Sequence, residues 1–347
     1  MSIVQEKKLL ADVVYTICPT LVASHVAVEK GWLQEEFDAQ GVTLKFLRSL
    51  PKSQWLPHFN HKLDNLFRDG GNIPPIWAKS EGQDTKLVGL STRVKGGQLA
   101  VLASSGIRSV ADLKGKKIGL SKRATNDRVD FSRATAHRTI LLSLEYAGVP
   151  RKEVSIVDVE ETPSAVGDPS WELLNPASKP TELWVDSKFH ESISVEVQAL
   201  LDGKVDAIPA GRTKKLEQEG KVRIISSLAD SGKAPIDPST ITVNAKLAQE
   251  HPEVIVGYLK AAIKAGRWIN SNPVEAAQIF VKVTNFKDVN DLAGKISKLD
   301  FIPNLAPDNV RGIELEKEFL LSEGYIKADF NVSHWADPSY LTAALKG

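Results

Sequence analysis

Cysteine is nearly missing from this chain: Cys18 is the only one among 347 residues. A single cysteine closes no intramolecular disulfide and builds no cysteine-based zinc site. An excess of charge of one sign is lacking too. Lys+Arg is 44 and Asp+Glu is 43, a net charge of +1. No positive surplus is at hand to neutralise phosphates, so nucleic-acid binding is not expected. Long apolar runs are absent: none approaches the ~18 residues that span a bilayer, and no membrane partner is expected. The opening stretch Met1–Thr20 lacks a basic region followed by an apolar segment and a small-residue cleavage site. A cytoplasmic location is the expectation.

What is present reads as a globular α/β protein. Hydrophobic residues make up 42% and charged residues 25%, and the length suggests about two domains. Strand candidates are Asp12–Tyr15, Val42–Leu47, Lys86–Thr92, Gln98–Leu102, Lys117–Leu120, Val154–Asp158, Ala207–Ala210 and Val222–Ser226. Each is short and rich in Val, Ile or Leu. Helix candidates between them are Pro19–Gly31, Ser132–Ala147, His190–Asp202 and Thr213–Glu219. Such alternation predicts largely parallel sheets flanked by helices. From Lys246 onward the chain turns mostly helical, with candidates at Lys246–Glu250, Glu253–Ser271, Pro273–Thr284, Asp288–Lys298, Pro307–Glu323 and Pro338–Lys346. The stretch Glu160–Lys188 carries four prolines and no sustained period; a lid and a plain surface excursion are equal readings.

Few residues offer chemistry. Cys18 precedes Pro19 and a helical pattern, which places it at a helix N-terminus just past a strand. The competing reading is an inert small hydrophobe. In Arg68-Asp69-Gly70-Gly71-Asn72-Ile73-Pro74-Pro75, two glycines permit close backbone approach, the prolines open a helix, and Arg68 supplies a two-pronged cation for an oxyanion. Taken alone, Gly-Gly before Pro-Pro is more often a simple turn. His58 and His61 have no third ligand at metal spacing, so no metal is expected; His58 suits a proton partner for a thiol. Trp55, Phe59 and Phe67 read as pocket lining or as core. Arg123, Arg128, Arg133 and Arg138 form a basic stretch, read as a solvated face with anion binding as the minor reading. GxGxxG, GxxxxGK[ST] and GxSxG are all missing.

Taken together, Tyr15-Thr16-Ile17-Cys18-Pro19, His58-Phe59, Arg68 through Pro75 and Trp335-Ala336-Asp337-Pro338 resemble the 2'-hydroxybiphenyl-2-sulfinate desulfinases, in order and spacing and across most of the chain. Phe189 and Gly203-Lys204-Val205-Asp206 fall in register as well. The resemblance implies the two-lobed fold of type II periplasmic solute-binding proteins, with mixed or parallel sheets and the ligand between the lobes. It implies hydrolytic C–S cleavage of an aryl sulfinate to a hydroxylated arene and sulfite, without cofactor or metal. It places the catalytic cysteine on Cys18, its histidine on His58, the sulfinate clamp on Arg68 and Gly71 beside Gly70, and pocket aromatics on Phe59 and Phe189. Cys18 acts either as a proton donor to the ring carbon or as a nucleophile on sulfur. After Gly119-Leu120 the chain departs from the pattern and is shorter by about a dozen residues, where loops vary. This departure bears on substrate range.

The expected lobes are discontinuous: 1–96 plus 234–347, and 97–233 with 160–188 as the candidate lid. A monomer is the default. Two other readings share the fold. One is a non-catalytic binder of sulfonates or related anions. The other is the pyrimidine-synthase branch, which requires iron and a cysteine-rich tract and is disfavoured by a single cysteine.

Overall fold

The computed structural model describes residues 10–123, 127–160, 174–180, 182 and 193–346. Two five-stranded sheets organise them. The first has the order β2-β1-β3-β10-β4, from Asp12–Ile17 (β1), Thr43–Phe46 (β2), Leu66–Gly70 (β3), Thr85–Ser91 (β4) and Ser239–Asn244 (β10). The second has the order β7-β6-β8-β5-β9, from Gln98–Leu102 (β5), Lys117–Lys122 (β6), Ser155–Glu160 (β7), Ala207–Pro209 (β8) and Val222–Ser227 (β9). Both are mixed rather than largely parallel. In each, one strand runs parallel to two neighbours, and a strand from elsewhere in the chain is inserted antiparallel. The expected α/β class holds, and its strand directions are more varied than the alternation predicted.

Two strands escaped the sequence pattern, and both are central. β3, Leu-Phe-Arg-Asp-Gly, is interrupted by polar residues, yet every residue is buried. β10, Ser-Thr-Ile-Thr-Val-Asn, carries the β-branched alternation of a strand. On one face of the first sheet, Val13, Tyr15, Ile17, Phe67, Ile241 and Val243 pack on helices Pro252–Ser271 and Pro273–Val283. The opposite face carries Thr16, Arg68 and Thr242, neighbours in register across β1, β3 and β10. Alternation of side chains along a strand separates these sets: oil on one side, a polar row on the other.

The second sheet is covered on both faces. Leu99, Val101, Ile118 and Leu120 meet Ile140 and Leu144 of the helix Phe131–Tyr146, while Ala100 and Ile208 meet Val197 and Leu200 of the helix Val195–Leu201. The chain passes between the sheets at an antiparallel bridge, Val94 with Ile236, where Lys95 N–H donates to Pro235 O and Asp237 N–H to Arg93 O. The later helices fall within a residue or two of expectation. Part of 160–188 is described: Leu174 packs with Val14, Leu47, Trp55 and Leu66 of the first sheet's region, and Arg48 donates to Asn175 O at 2.8 Å.

The first helix (α1) corrects the reading of Cys18. It begins at Ala23, with Val22 as its cap, rather than at Pro19. Residues 19–21 form a bend in which Thr20 N–H turns back to Cys18 O at 2.7 Å. Cys18 therefore sits just past the end of β1, five residues before the helix begins.

Candidate active site

Parallel pairing brings the chemistry together. β1 and β3 end at the same edge of the sheet, with Ile17 beside Asp69, and Cys18 N–H donates to Asp69 O at 2.9 Å. The residues after each strand, Cys18 and Gly70-Gly71, are thus neighbours at the carboxyl ends of parallel strands, where α/β sheets place their ligands. Gly70 is required there. Its φ is +152°, and a Cβ would lie 2.5 Å from Cys18 Cβ and overlap the sulfur.

A short helix over the polar face supplies the histidines. Pro57–Asn60 starts on a proline and is closed by His61 at φ +56°. This brings both imidazoles down on the polar row. His58 Nδ1 lies 2.7 Å from Thr16 Oγ1, and His61 Nε2 lies 2.9 Å from Thr242 Oγ1. The second His58 nitrogen, Nε2, is 3.5 Å from Cys18 Sγ. Burial, and then the charges of Arg68, His61 and Arg128, hold His58 well below the usual imidazole range. A resting imidazolium is disfavoured, so His58 is a neutral ring beside the sulfur.

Arg68 ties the cluster. It is 1% exposed. Nη2 donates to Cys18 Sγ at 3.1 Å, Nη1 to Gly71 O at 2.8 Å and Nε to His58 O at 2.8 Å. One guanidinium therefore fixes the sulfur, the glycine corner and the histidine helix at once. Gly71 meets Arg68 through its carbonyl. Asp69, buried behind them, accepts from Ser24 Oγ at 2.6 Å, and Ser24 in turn accepts from Tyr258. Burial pushes the Asp69 carboxyl up to about 6, against the pull of Ser24, Arg68 and Arg93.

Of the residues read from the sequence, Cys18, His58, Arg68, Gly70 and Gly71 converge here. Phe59 adjoins them, edge-on to His58 at 4.8 Å, and stacks on Phe131 at 5.8 Å. Trp55 and Phe67 are core; Phe67 stacks on Tyr258. Phe189 lies outside the described residues. The basic stretch is not a uniform solvated face: Arg128 is buried, with its guanidinium 4.9 Å from the Phe59 ring. Sequence reasoning missed Thr16, Phe131 and Arg93 as neighbours of the site, and it named Arg128 only within the basic stretch. Of the missed residues, Thr16 alone had a signal, since it lies on β1 two residues before Cys18.

Residues 20–166 and 188–276 match the family described as NMT1/THI5 like. The chain belongs to that family. It is 26% identical over 360 residues to a Rhodococcus erythropolis protein named 2'-hydroxybiphenyl-2-sulfinate desulfinase, covering 95% of this chain and 93% of the relative. Among solved structures it is similar to a cysteine-to-serine variant of the desulfurization enzyme DszB in complex with biphenyl-2-sulfinic acid. The TM-score is 0.73 at 22% identity, over 97% of this chain and 99% of that one. It is also similar to the periplasmic aliphatic sulphonate binding protein SsuA from Escherichia coli, with TM-score 0.61 at 16% identity, over 94% and 97% of the two chains. The fold is accordingly the two-lobed one of DszB and the periplasmic binding proteins, as the sequence resemblance implied. Among the described residues no helix is long and apolar enough to cross a membrane, and no cluster of three or more metal-ligating side chains occurs.

Proposed function

We propose that the protein is a desulfinase that hydrolyses the C–S bond of an aromatic sulfinate to an arene and sulfite. The observation that carries this reading is the sulfur of Cys18 held between the Arg68 guanidinium and the neutral His58 ring. The whole-length similarity to a named desulfinase supports it. A carrier of anions needs a cation, but it needs no thiol paired with a buried proton acceptor.

The chemistry balances without a cofactor. The thiol of Cys18 gives its proton to the ring carbon that bears sulfur, the C–S bond breaks, and sulfur dioxide leaves with the negative charge remaining on the cysteine sulfur. Arg68 Nη2 faces that sulfur and stabilises the charge as it forms. Water adds to sulfur dioxide to give bisulfite, and the proton so released returns to the sulfur through His58. In sum, sulfinate and water become arene and bisulfite. Thr16 holds His58 Nδ1 and so aims Nε2 at the sulfur. The hydroxylated biphenyl sulfinate is the first substrate to try, because the similar relative is named for it.

The experiment is to incubate the protein with 2'-hydroxybiphenyl-2-sulfinate and follow sulfite and 2-hydroxybiphenyl together. Equal amounts of both are expected. Tight binding with no product assigns the protein to the anion-carrier reading instead. A covalent cysteine adduct seen by mass spectrometry replaces the proton-donor step with attack on sulfur.

A further inference from the structure

Arg68 is nearly consumed by the protein itself. Three of its five N–H groups point to Cys18 Sγ, Gly71 O and His58 O, and its side chain is almost fully enclosed. A sulfinate brings two oxygens that share a full negative charge, and it needs a second cation. Arg93 stands at the right place. It follows β4 at the crossover between the sheets, where Asp237 N–H holds its carbonyl at 2.7 Å. Its Nη1 donates to Thr20 Oγ1, two residues beyond Cys18. Its Nε is buried and has no hydrogen-bond partner among the described residues. A buried guanidinium donor left unpaired is costly, so its retention asks for an explanation. With Nη1 engaged on Thr20, the side of the guanidinium formed by Nε and Nη2 remains, and that side matches two oxygens of one oxyanion.

We infer that Arg93 is the second cation of the site and that its Nε side binds the oxygens of the sulfinate. The inference rests on the desulfinase reading for the identity of the anion. The carboxylates of Asp237 and Asp69 lie within electrostatic reach of Arg93, as does Cys18, and favour its charge against burial. Asp237 is also the point where the crossover is fastened. It pairs with the buried Lys95 at 3.5 Å and accepts from Asn72, next to Gly71, at 2.8 Å. The cation that grips the anion is thereby part of the segment that joins the two sheets, and binding of the anion is linked to how that joint is set. Arg128 is the other cation nearby, but its guanidinium lies on the Phe59 ring and beside Asp127.

The test is calorimetric titration into Cys18→Ser protein, in which turnover is expected to be lost, with and without Arg93→Gln or Arg93→Lys. Two ligands are used: 2'-hydroxybiphenyl-2-sulfinate, and 2-hydroxybiphenyl, which has the same rings and no sulfinate. Arg93→Gln is expected to weaken the sulfinate tenfold or more and to leave the neutral arene within twofold; Arg93→Lys recovers part of the loss. Sulfinate affinity unchanged by Arg93→Gln overturns the inference, and so does equal weakening of both ligands, which marks a structural role. Sulfinate binding that depends on Arg93 in a protein whose parent releases no sulfite defeats the desulfinase reading and leaves this inference standing. Turnover with binding independent of Arg93 does the reverse. Failure of the sulfinate to bind at all overturns both.

Discussion

The two sheets share one topology and treat charge in opposite ways. In the first, Arg68 and Asp69 sit in a central strand at 1% exposure each, with His58 at 5% above them. In the second, Lys122 at the end of β6 and Arg133 of the helix Phe131–Tyr146 pair with Asp158 of β7 at 3.1 and 2.6 Å, with side chains 20–50% exposed. Exposed pairs of this kind contribute little and are screened by salt. Buried ones carry a large desolvation penalty that only tight, complete partnering offsets. A scaffold can hold ionised groups at a strand end cheaply, as the second sheet does. The first sheet holds them dry, and dry placement is what gives a guanidinium and an imidazole their strength on a neighbouring sulfur.

Glycine substitutions sharpen this contrast most. Gly70→Ala puts a methyl group onto Cys18 at a positive φ. Overpacking and backbone strain together predict a loss of about 2–5 kcal/mol. Gly119→Ala in β6 meets only side-chain methyls, of Val205 at 3.1 Å and Val159 at 3.3 Å, and should lose about 1 kcal/mol. Urea denaturation of both variants gives the difference; equal losses would show that the corner beside Cys18 is no tighter than the second sheet.

Arg68→Lys comes next. One ammonium cannot reach three acceptors in the geometry of a planar fork. Sulfite release should fall about a hundredfold, on the scale of losing one preorganised donor. An unchanged kcat/KM would mean that the fork does not position the sulfur.

Titration follows. Burial lowers His25 to about 4 and His61 to about 3, both in the first sheet's half of the molecule. Below pH 6.5 the unfolded chain takes up protons that the native chain refuses, so stability falls as pH falls, by about 1.4 kcal/mol per unit for each such histidine. Asp69 acts in the opposite sense. Its folded carboxyl, raised to about 6, takes up a proton before the unfolded one does and returns part of the loss below pH 6. These three groups together predict a loss of roughly 2–3 kcal/mol between pH 6.5 and 5, to which His58 adds in the same direction, read as a falling urea midpoint. A midpoint that is flat or rising over this range would show that the histidines are not held neutral. The smallest effect belongs to the second sheet: Asp158→Ala should change stability by less than about 1 kcal/mol, and less still in high salt.

Much of the site was legible in the sequence because its residues carry unusual chemistry. A lone cysteine after an apolar strand, a histidine pair and an Arg-Asp-Gly-Gly run are visible without a structure. The strand that bears Arg68 was not, because Arg, Asp and Gly interrupt the apolar pattern by which strands are recognised; their burial is made tolerable by partners distant in sequence, such as His58 and Ser24. The helix start at Pro19 was misplaced for a related reason. Proline favours a first helical turn, but the bend back to Cys18 O delays the helix to Ala23. Thr16, Arg93 and Phe131 reach the site only through sheet register, the crossover and a contact from the second sheet's helix. Only Thr16, two residues before Cys18, had a local signal; no local pattern encodes the other two. β10 was legible in principle, since Thr-Ile-Thr-Val alternates as a strand does.

The account turns on the sulfur held by Arg68 and His58, and one comparison addresses it most directly: sulfite released from 2'-hydroxybiphenyl-2-sulfinate by the parent protein and by Cys18→Ser, with thermal melting of both. The account predicts stoichiometric sulfite and 2-hydroxybiphenyl from the parent, a loss of at least a thousandfold in the variant, and closely similar melting temperatures. A variant that keeps more than a tenth of the parent's rate would contradict it.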